Sequence, residues 1–130
     1  MRAVLEIDGR MPDLNDWRDA IQTSPHKGND MCHENANRAR KLALQQRLPK
    51  FDGPVMITFY WIEPNSRRDL DNIGGSARKW IIDGLVKAGV LGNDSQRWVR
   101  GIQEFVAHDP LEPRIIVEIT DEMDFLKEGL

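Results

Sequence analysis

Hydrophobic positions along the chain change period several times, and each change marks an element. Residues 1–8 carry Met1, Ala3, Val4, Leu5 and Ile7, which predicts a strand ended by Gly9 and the Pro12-Asp13 turn signal. Leu14, Trp17 and Ile21 then fall at helical spacing behind Asp13, a candidate cap, and predict a short helix over 13–22. Ser24, Pro25, Gly28 and Asn29 give 23–30 the chemistry of a loop. From Asp30 to Leu48, Ala36, Ala39 and Ala43 form an imperfect apolar stripe, predicting a second helix.

Gly53-Pro54 introduces the run from Val55 to Ile62, apolar on both faces apart from Thr58 and the Tyr60 hydroxyl. Such a run fits a central strand, and Glu63-Pro64-Asn65-Ser66 ends it. Ile73, Ala77, Trp80, Ile81, Leu85 and Ala88 keep a 3.6-residue period, predicting one helix over about 72–88 closed by Gly89 and Gly92. Two further strands are expected, over 97–107 and 114–120. This order predicts a single α+β domain over residues 1–130. The architecture is a two-layer sandwich, a mixed sheet of about four strands with helices packed on one face.

Composition narrows the class. A chain of 130 residues, 40% hydrophobic and 30% charged, has the balance of a globular domain. The 55–62 run is far short of the ~20 apolar residues a membrane helix needs, so no membrane partner is expected. The opening MRAVLEID has acids at Glu6 and Asp8 and does not resemble a secretory signal. With one cysteine, Cys32, no internal disulfide can form, and a cytoplasmic location is expected.

The net charge of −3 argues at first against nucleic acid. It is an average over two unlike parts. Residues 104–130 hold eight acids and two bases, including an acidic tail from about 121, whereas residues 1–103 hold 16 bases and 13 acids. The body is therefore basic, and the acidity is concentrated at the C-terminal end.

One stretch carries candidate chemistry: Arg67-Arg68-Asp69-Leu70-Asp71-Asn72, between a strand exit and a helix start. In extended chain, residues two apart point to one side, so Asp69 and Asp71 can converge on one point. Oxygen ligands grouped this way suit a hard cation such as Mg²⁺ or Mn²⁺. The residues alone also admit a plainer reading, with Asp71 capping the helix and Asp69 paired to Arg67 or Arg68. A third carboxylate, Asp94, lies in Gly92-Asn93-Asp94-Ser95, which is also ordinary turn chemistry. It joins the other two only if the chain turns back along the sheet.

Taken together, Arg68-Asp69-Leu70-Asp71-Asn72, the run from Asp83 through Lys87-Ala88-Gly89 to Val90, and Asn93-Asp94-Ser95-Gln96 resemble the RusA family of Holliday junction resolvases. The likeness spans roughly residues 55–120. It implies a homodimeric endonuclease that binds four-way DNA junctions and cuts them with paired, symmetric nicks during recombination and repair, often in a phage or prophage setting. It also implies that Asp69, Asp71 and Asp94 are catalytic and hold Mg²⁺ (or Mn²⁺). The sequence departs from the family pattern twice. The acid often found before the third carboxylate is Asn93, and the lysine expected four residues after Asp71 is Gly75, leaving Lys79 as its substitute.

The basic run from Arg38 through Arg40, Lys41 and Arg47 to Lys50, with Lys27, Arg67 and Arg68, is the expected phosphate-contacting surface. A solvated helix face accounts for any one of these equally well. Trp17, Trp61, Trp80 and Trp98 are expected mostly in the core, where a surface tryptophan would instead anchor a partner or stack on a base. Cys32, His26 and His33 lack a paired-cysteine motif and are not expected to bind zinc. Two other functions compete: a non-catalytic DNA-binding or regulatory module retaining the fold, which Asn93 and Gly75 favour, and a branched- or flap-DNA nuclease.

Overall fold

Alternation of buried and exposed positions along the first strand sets the geometry of the whole sheet. The computed structural model describes residues 1–124. In chain order the elements are β1 (Arg2–Asp8), α1 (Leu14–Thr23), α2 (Pro25–Gln45), β2 (Val55–Glu63), α3 (Leu70–Gly74), α4 (Ala77–Lys87), β3 (Val99–His108) and β4 (Arg114–Thr120). The strands form one mixed sheet in the order β1-β4-β2-β3, with β2 and β3 parallel and the other pairs antiparallel. The fold is α+β, as the pattern predicts.

Ala3, Leu5 and Ile7 of β1 are buried, whereas Arg2, Val4, Glu6 and Asp8 are exposed, so one face of the sheet meets the helices and the other meets solvent. Register extends this across the sheet: Leu5 faces Val117, which faces Phe59, and Ile7 faces Ile115, which faces Trp61. Phe59 and Trp61 stack with centroids 5.1 Å apart on the covered face. Against these rows pack Ala39, Ala43, Ile73, Trp80, Ile81 and Leu85 from the helices. Central placement of β2 explains its continuous apolarity, since both of its sides are paired.

Local structure departs from the sequence expectation in two places. Residues 23–30 are not a loop, because α2 begins at Pro25. Ser24 caps it, its hydroxyl accepting the Lys27 amide at 3.1 Å, and proline occupies a first-turn position that lacks a helical partner anyway. Gly28 sits where α1 and α2 meet, and a Cβ there would stand 2.7 Å from the Ile21 side chain. The turn-like composition was the signature of a helix start.

The helix expected over 72–88 is interrupted between α3 and α4, at Gly75 and Ser76. Glycine weakens a helix interior by about 1 kcal/mol relative to alanine, and Ser76 makes no capping bond with its side chain. β3 is an edge strand exposed on both faces, with Phe105 stacked on Tyr60 at 5.6 Å on the uncovered face. The expected acidic tail is described only to Asp124. Asp121 and Glu122 accept the Met1 ammonium at 2.6 and 2.7 Å, and residues 125–130 lie outside the described residues.

Candidate active site

β2 ends on Glu63, an acid on the covered face and only 3% exposed. A buried charge needs partners, and two arginines supply them. Arg10 donates to Glu63 at 2.8 and 3.2 Å, and Arg68 donates to both of its carboxylate oxygens at 2.9 Å. Burial alone would raise the Glu63 pKa, but the bonds from Arg68 and Arg10 hold it below the usual carboxylate value. Arg68 also approaches Asp13 at 3.6 Å and donates to the Met11 carbonyl at 3.2 Å. Arg68, expected at the phosphate-contacting surface, is 13% exposed here and joins β2, the β1–α1 connection and the start of α3.

Immediately after Arg68 the chain turns into α3, and here the capping role falls on Asp69, not Asp71. One Asp69 oxygen accepts the Asn72 amide at 2.9 Å. Asp71, in the first turn, is exposed; its carbonyl accepts the Gly75 amide at 2.8 Å, while its carboxylate has no hydrogen-bond partner among the described residues. Asn72 fastens α3 to α1: its Oδ1 accepts the Asn15 amide at 3.1 Å, and its amide group donates to Asp13 at 3.1 Å. Asp13 in turn closes a reciprocal capping box with Asp16. A chain of polar contacts therefore runs from the end of β2 through α1 to the segment bearing both acids.

Asp69 and Asp71 line one open depression of about 480 Å³ with Leu14, Asn15, Arg18 and Arg78. Arg18 is exposed and makes no ion pair among the described residues, whereas Arg78 donates to Glu104 at 2.9 Å. Arg18 was missed by sequence reasoning. Its signal was faint: it follows Leu14 by four residues, which puts both on one face of α1, and only the Asn15–Asn72 contact turns that face toward the acids.

Asp94 is held elsewhere in the same region. β3 does return alongside β2, as the sequence required, but parallel to it, so the 88–98 connection begins where α4 ends. Lys79 donates to Asp94 and bonds Asp83 one turn along α4 at 3.0 Å. These bonds raise the Lys79 pKa, Asp94 contributing more than Asp83, and the bond from Lys79 lowers that of Asp94. Lys79 is therefore a fixed cation and not a proton acceptor near neutrality. Among the described residues no three His, Cys, Asp or Glu side chains are grouped closely enough to hold a metal ion. Two of the three expected ligands share the depression, and the third is tied to Lys79.

Gly75 sits between these halves. A Cβ on it would stand 2.5 Å from the Asp71 carbonyl and 3.2 Å from Leu14, so the position expected to carry lysine cannot hold a side chain without backbone movement. The remaining basic residues divide. Lys27, Lys41, Arg47 and Arg67 are exposed. Arg38 is turned inward, donating to the carbonyls of Arg10 (2.9 Å) and Asp8, and Arg40 bonds the Asn37 side chain at 3.0 Å. Trp61 and Trp80 are core, while Trp17 and Trp98 are half-buried. No helix among the described residues is long and apolar enough to cross a membrane. Neither the protein-family models nor the curated proteins compared with this chain gave a match.

Proposed function

We propose that the chain is a metal-dependent endonuclease that resolves four-way DNA junctions by paired nicks, acting as a cytoplasmic homodimer. The observation that carries the reading is the convergence of Asp69 and Asp71 on one open depression beside a free arginine, Arg18. The RusA-like residue pattern supplies the substrate class. Asp71 presents an unengaged carboxylate, and Asp69 keeps one oxygen free of its capping bond, so both fit the oxygen-rich coordination of Mg²⁺ or Mn²⁺.

A bound divalent ion would lower the pKa of water and polarise a phosphoryl oxygen. The protein's own groups do the rest. Asp69 and Asp71 would hold such an ion at the start of α3. Arg18 offers two-pronged donors to a phosphate, the geometry that guanidinium favours. Lys79, kept protonated, offsets charge at Asp94 or on the strand. Lys27, Lys41, Arg47 and Arg67 contact phosphates without reading sequence, as suits a structure-selective enzyme. A two-fold dimer would present two such sites to opposed strands.

One observation favours a second reading. Asp94 is engaged by Lys79, and no three-carboxylate group is assembled among the described residues. A module that binds branched DNA without cutting it would have this arrangement. Incubation with a four-way junction, linear duplex and single strand, with and without Mg²⁺, separates the readings. Paired nicks confined to the junction and dependent on the ion are expected. Binding without cutting would support the second reading, and cleavage of all three substrates would make the chain a general or flap nuclease.

A further inference from the structure

The two outer edges of the sheet are finished differently. On β1 the Gln46 side chain takes the place of a further strand. Its amide group donates to the Glu6 carbonyl at 2.7 Å, and its oxygen accepts the Glu6 amide at 2.9 Å. Arg38 covers the same edge further along by donating to the Asp8 carbonyl. β3 forms the opposite edge, and among the described residues nothing pairs with its outer side from Ile102 to Val106. The Asp109 amide donates to the Glu63 carbonyl at 2.9 Å, so along the regular register before it the odd-numbered residues bond β2. The amides and carbonyls of Ile102, Glu104 and Val106 therefore point outward.

Such an edge pairs with another chain unless the sequence blunts it, commonly with lysine, proline or a bulge. Residues 101–107 hold neither lysine nor proline, and the one irregularity in the β2–β3 register lies before them. Their single charge, Glu104, is turned into its own layer, where Arg78 donates to it at 2.9 Å. Ile102 and Val106, two residues to either side, share the helix face of the sheet with their register partners Ile57 and Trp61. The helices stop short of them: Ile102 is 45% and Val106 41% exposed, whereas Ile57 and Trp61 are buried.

We propose that β3 pairs antiparallel with β3 of a second copy of this chain, about a two-fold axis at Glu104. Pairing centred there sets Ile102 against Val106 of the second copy, and Val106 against its Ile102. On the open face it sets Gln103 against Phe105. Charge agrees with this direction. Arg97 and Arg100 lie at the start of β3, and Asp109 and Glu112 follow its end. Antiparallel copies therefore lay the basic start of one strand beside the acidic end of the other. At the axis two Glu104 carboxylates meet two Arg78 guanidiniums, and the charges cancel. The covered β1 edge keeps β3 from adding to β1 of another copy, so assembly closes as a dimer and does not grow into a filament. The axis runs normal to the sheet, so both helix layers stay on one side of a continuous sheet. The dimer is part of the nuclease reading, and this inference deepens that reading by naming its surface: both acid-lined depressions would open toward the same DNA.

Sedimentation equilibrium of the full chain, without DNA or metal, reads the pairing apart from catalysis. The unmodified protein should give twice the 15.0 kDa mass of one chain. Ile102→Lys combined with Val106→Lys should give the mass of one chain with an unchanged circular dichroism spectrum, since both side chains are already exposed. Oxidising an equal mixture of Gln103→Cys and Phe105→Cys chains, each also carrying Cys32→Ala, tests the register. The mixture should form a disulfide-linked dimer that neither variant forms alone, because residue 103 of one copy stands opposite residue 105 of the other. A single-chain mass for the unmodified protein would overturn the proposal, including one whose edge is filled by its own residues 125–130. So would a dimer that survives both lysines, or one lost instead on Val4→Lys, which would put the contact on the open face. A dimer that passes these tests but nicks no junction leaves the pairing standing and refutes the nuclease reading alone.

Discussion

Asp71 and Asp69 differ in what the fold already asks of them, and that difference makes their variants informative. Asp69 is a helix cap, so replacing it disturbs α3 as well as any bound ion. The Asp71 carboxylate bonds nothing among the described residues and is the cleaner probe. Asp71→Asn should lower cleavage by more than about a hundred-fold, beyond the 10–100-fold typical of losing an outer-shell contact, while a gel-shift assay finds junction binding intact. Arg18→Ala should cost about 10²-fold in the cleavage rate, the usual effect of removing one well-placed donor to a developing charge, with unfolding midpoint unchanged. Lys79 carries a separate expectation. Its pKa is raised by Asp94 and Asp83, so the pH–rate profile should show no limb from lysine deprotonation between neutrality and the ordinary lysine range.

Among the elements, α3 depends most on contacts beyond its own five residues, since so short a helix cannot hold itself together. Asn72 and Arg68 anchor it to α1 and β2. Asn72→Ala would remove two hydrogen bonds and leave Asp13 short of a partner, costing about 1–3 kcal/mol in urea unfolding. Glu63→Ala would strand the half-buried Arg68 and Arg10 and cost about 3 kcal/mol, the range for breaking a buried pair. The sign of its pH dependence follows from the depressed Glu63 pKa. The unfolded chain binds the proton at the usual value of 4.5, the folded protein only at lower pH. The stabilisation is therefore complete above the unfolded value and is lost as pH falls through the window below it. Urea midpoints of the unmodified protein against Glu63→Gln should converge as the solution is acidified.

The same element explains what sequence made legible and what it did not. β1, β2 and β4 were visible because burial on one face imposes period two, or continuous apolarity in the paired β2. Asp69 and Asp71 were visible as close neighbours in sequence, but not through the extended geometry expected of them: Asp69 is the N-cap of α3 and Asp71 lies in its first turn. The pairing of Arg68 with Glu63 was not legible, because an arginine beside two aspartates looks like a phosphate contact and Glu63 is brought to it by the end of a strand and a tight turn. The α3–α4 break was invisible because Gly75 and Ser76 keep right-handed helical backbone angles, so the apolar stripe runs through it undisturbed. Lys79–Asp94 depends on how the 88–98 connection folds, and periodicity carries no information about that.

At the scale of the molecule, the charge is divided as the sequence shows, and part of the basic share is spent internally. Arg10, Arg38 and Arg68 serve the fold. Exposed Lys27, Lys41, Arg47 and Arg67 remain for phosphates. Junction affinity should therefore fall steeply with salt, and each of these lysines or arginines changed to alanine should reduce the slope of log affinity against log salt by about one. Charge reversal in the 109–122 segment should leave that slope unchanged. The sheet leaves one face open to solvent, with Val4, Phe105 and the Tyr60 ring on it, and the proposed two-fold dimer would have to leave clear the helix side on which the acids open.

The central claim is that the carboxylates at the start of α3 cut four-way junctions with a divalent ion. The most direct measurement maps product ends on a strand-labelled junction in Mg²⁺, for the unmodified protein and for Asp71→Asn side by side. Symmetric nicks on two opposed strands, dependent on the ion and absent from Asp71→Asn despite retained binding, are the predicted result. Undiminished nicking by Asp71→Asn, or no nicking of the junction by the unmodified protein, would contradict it.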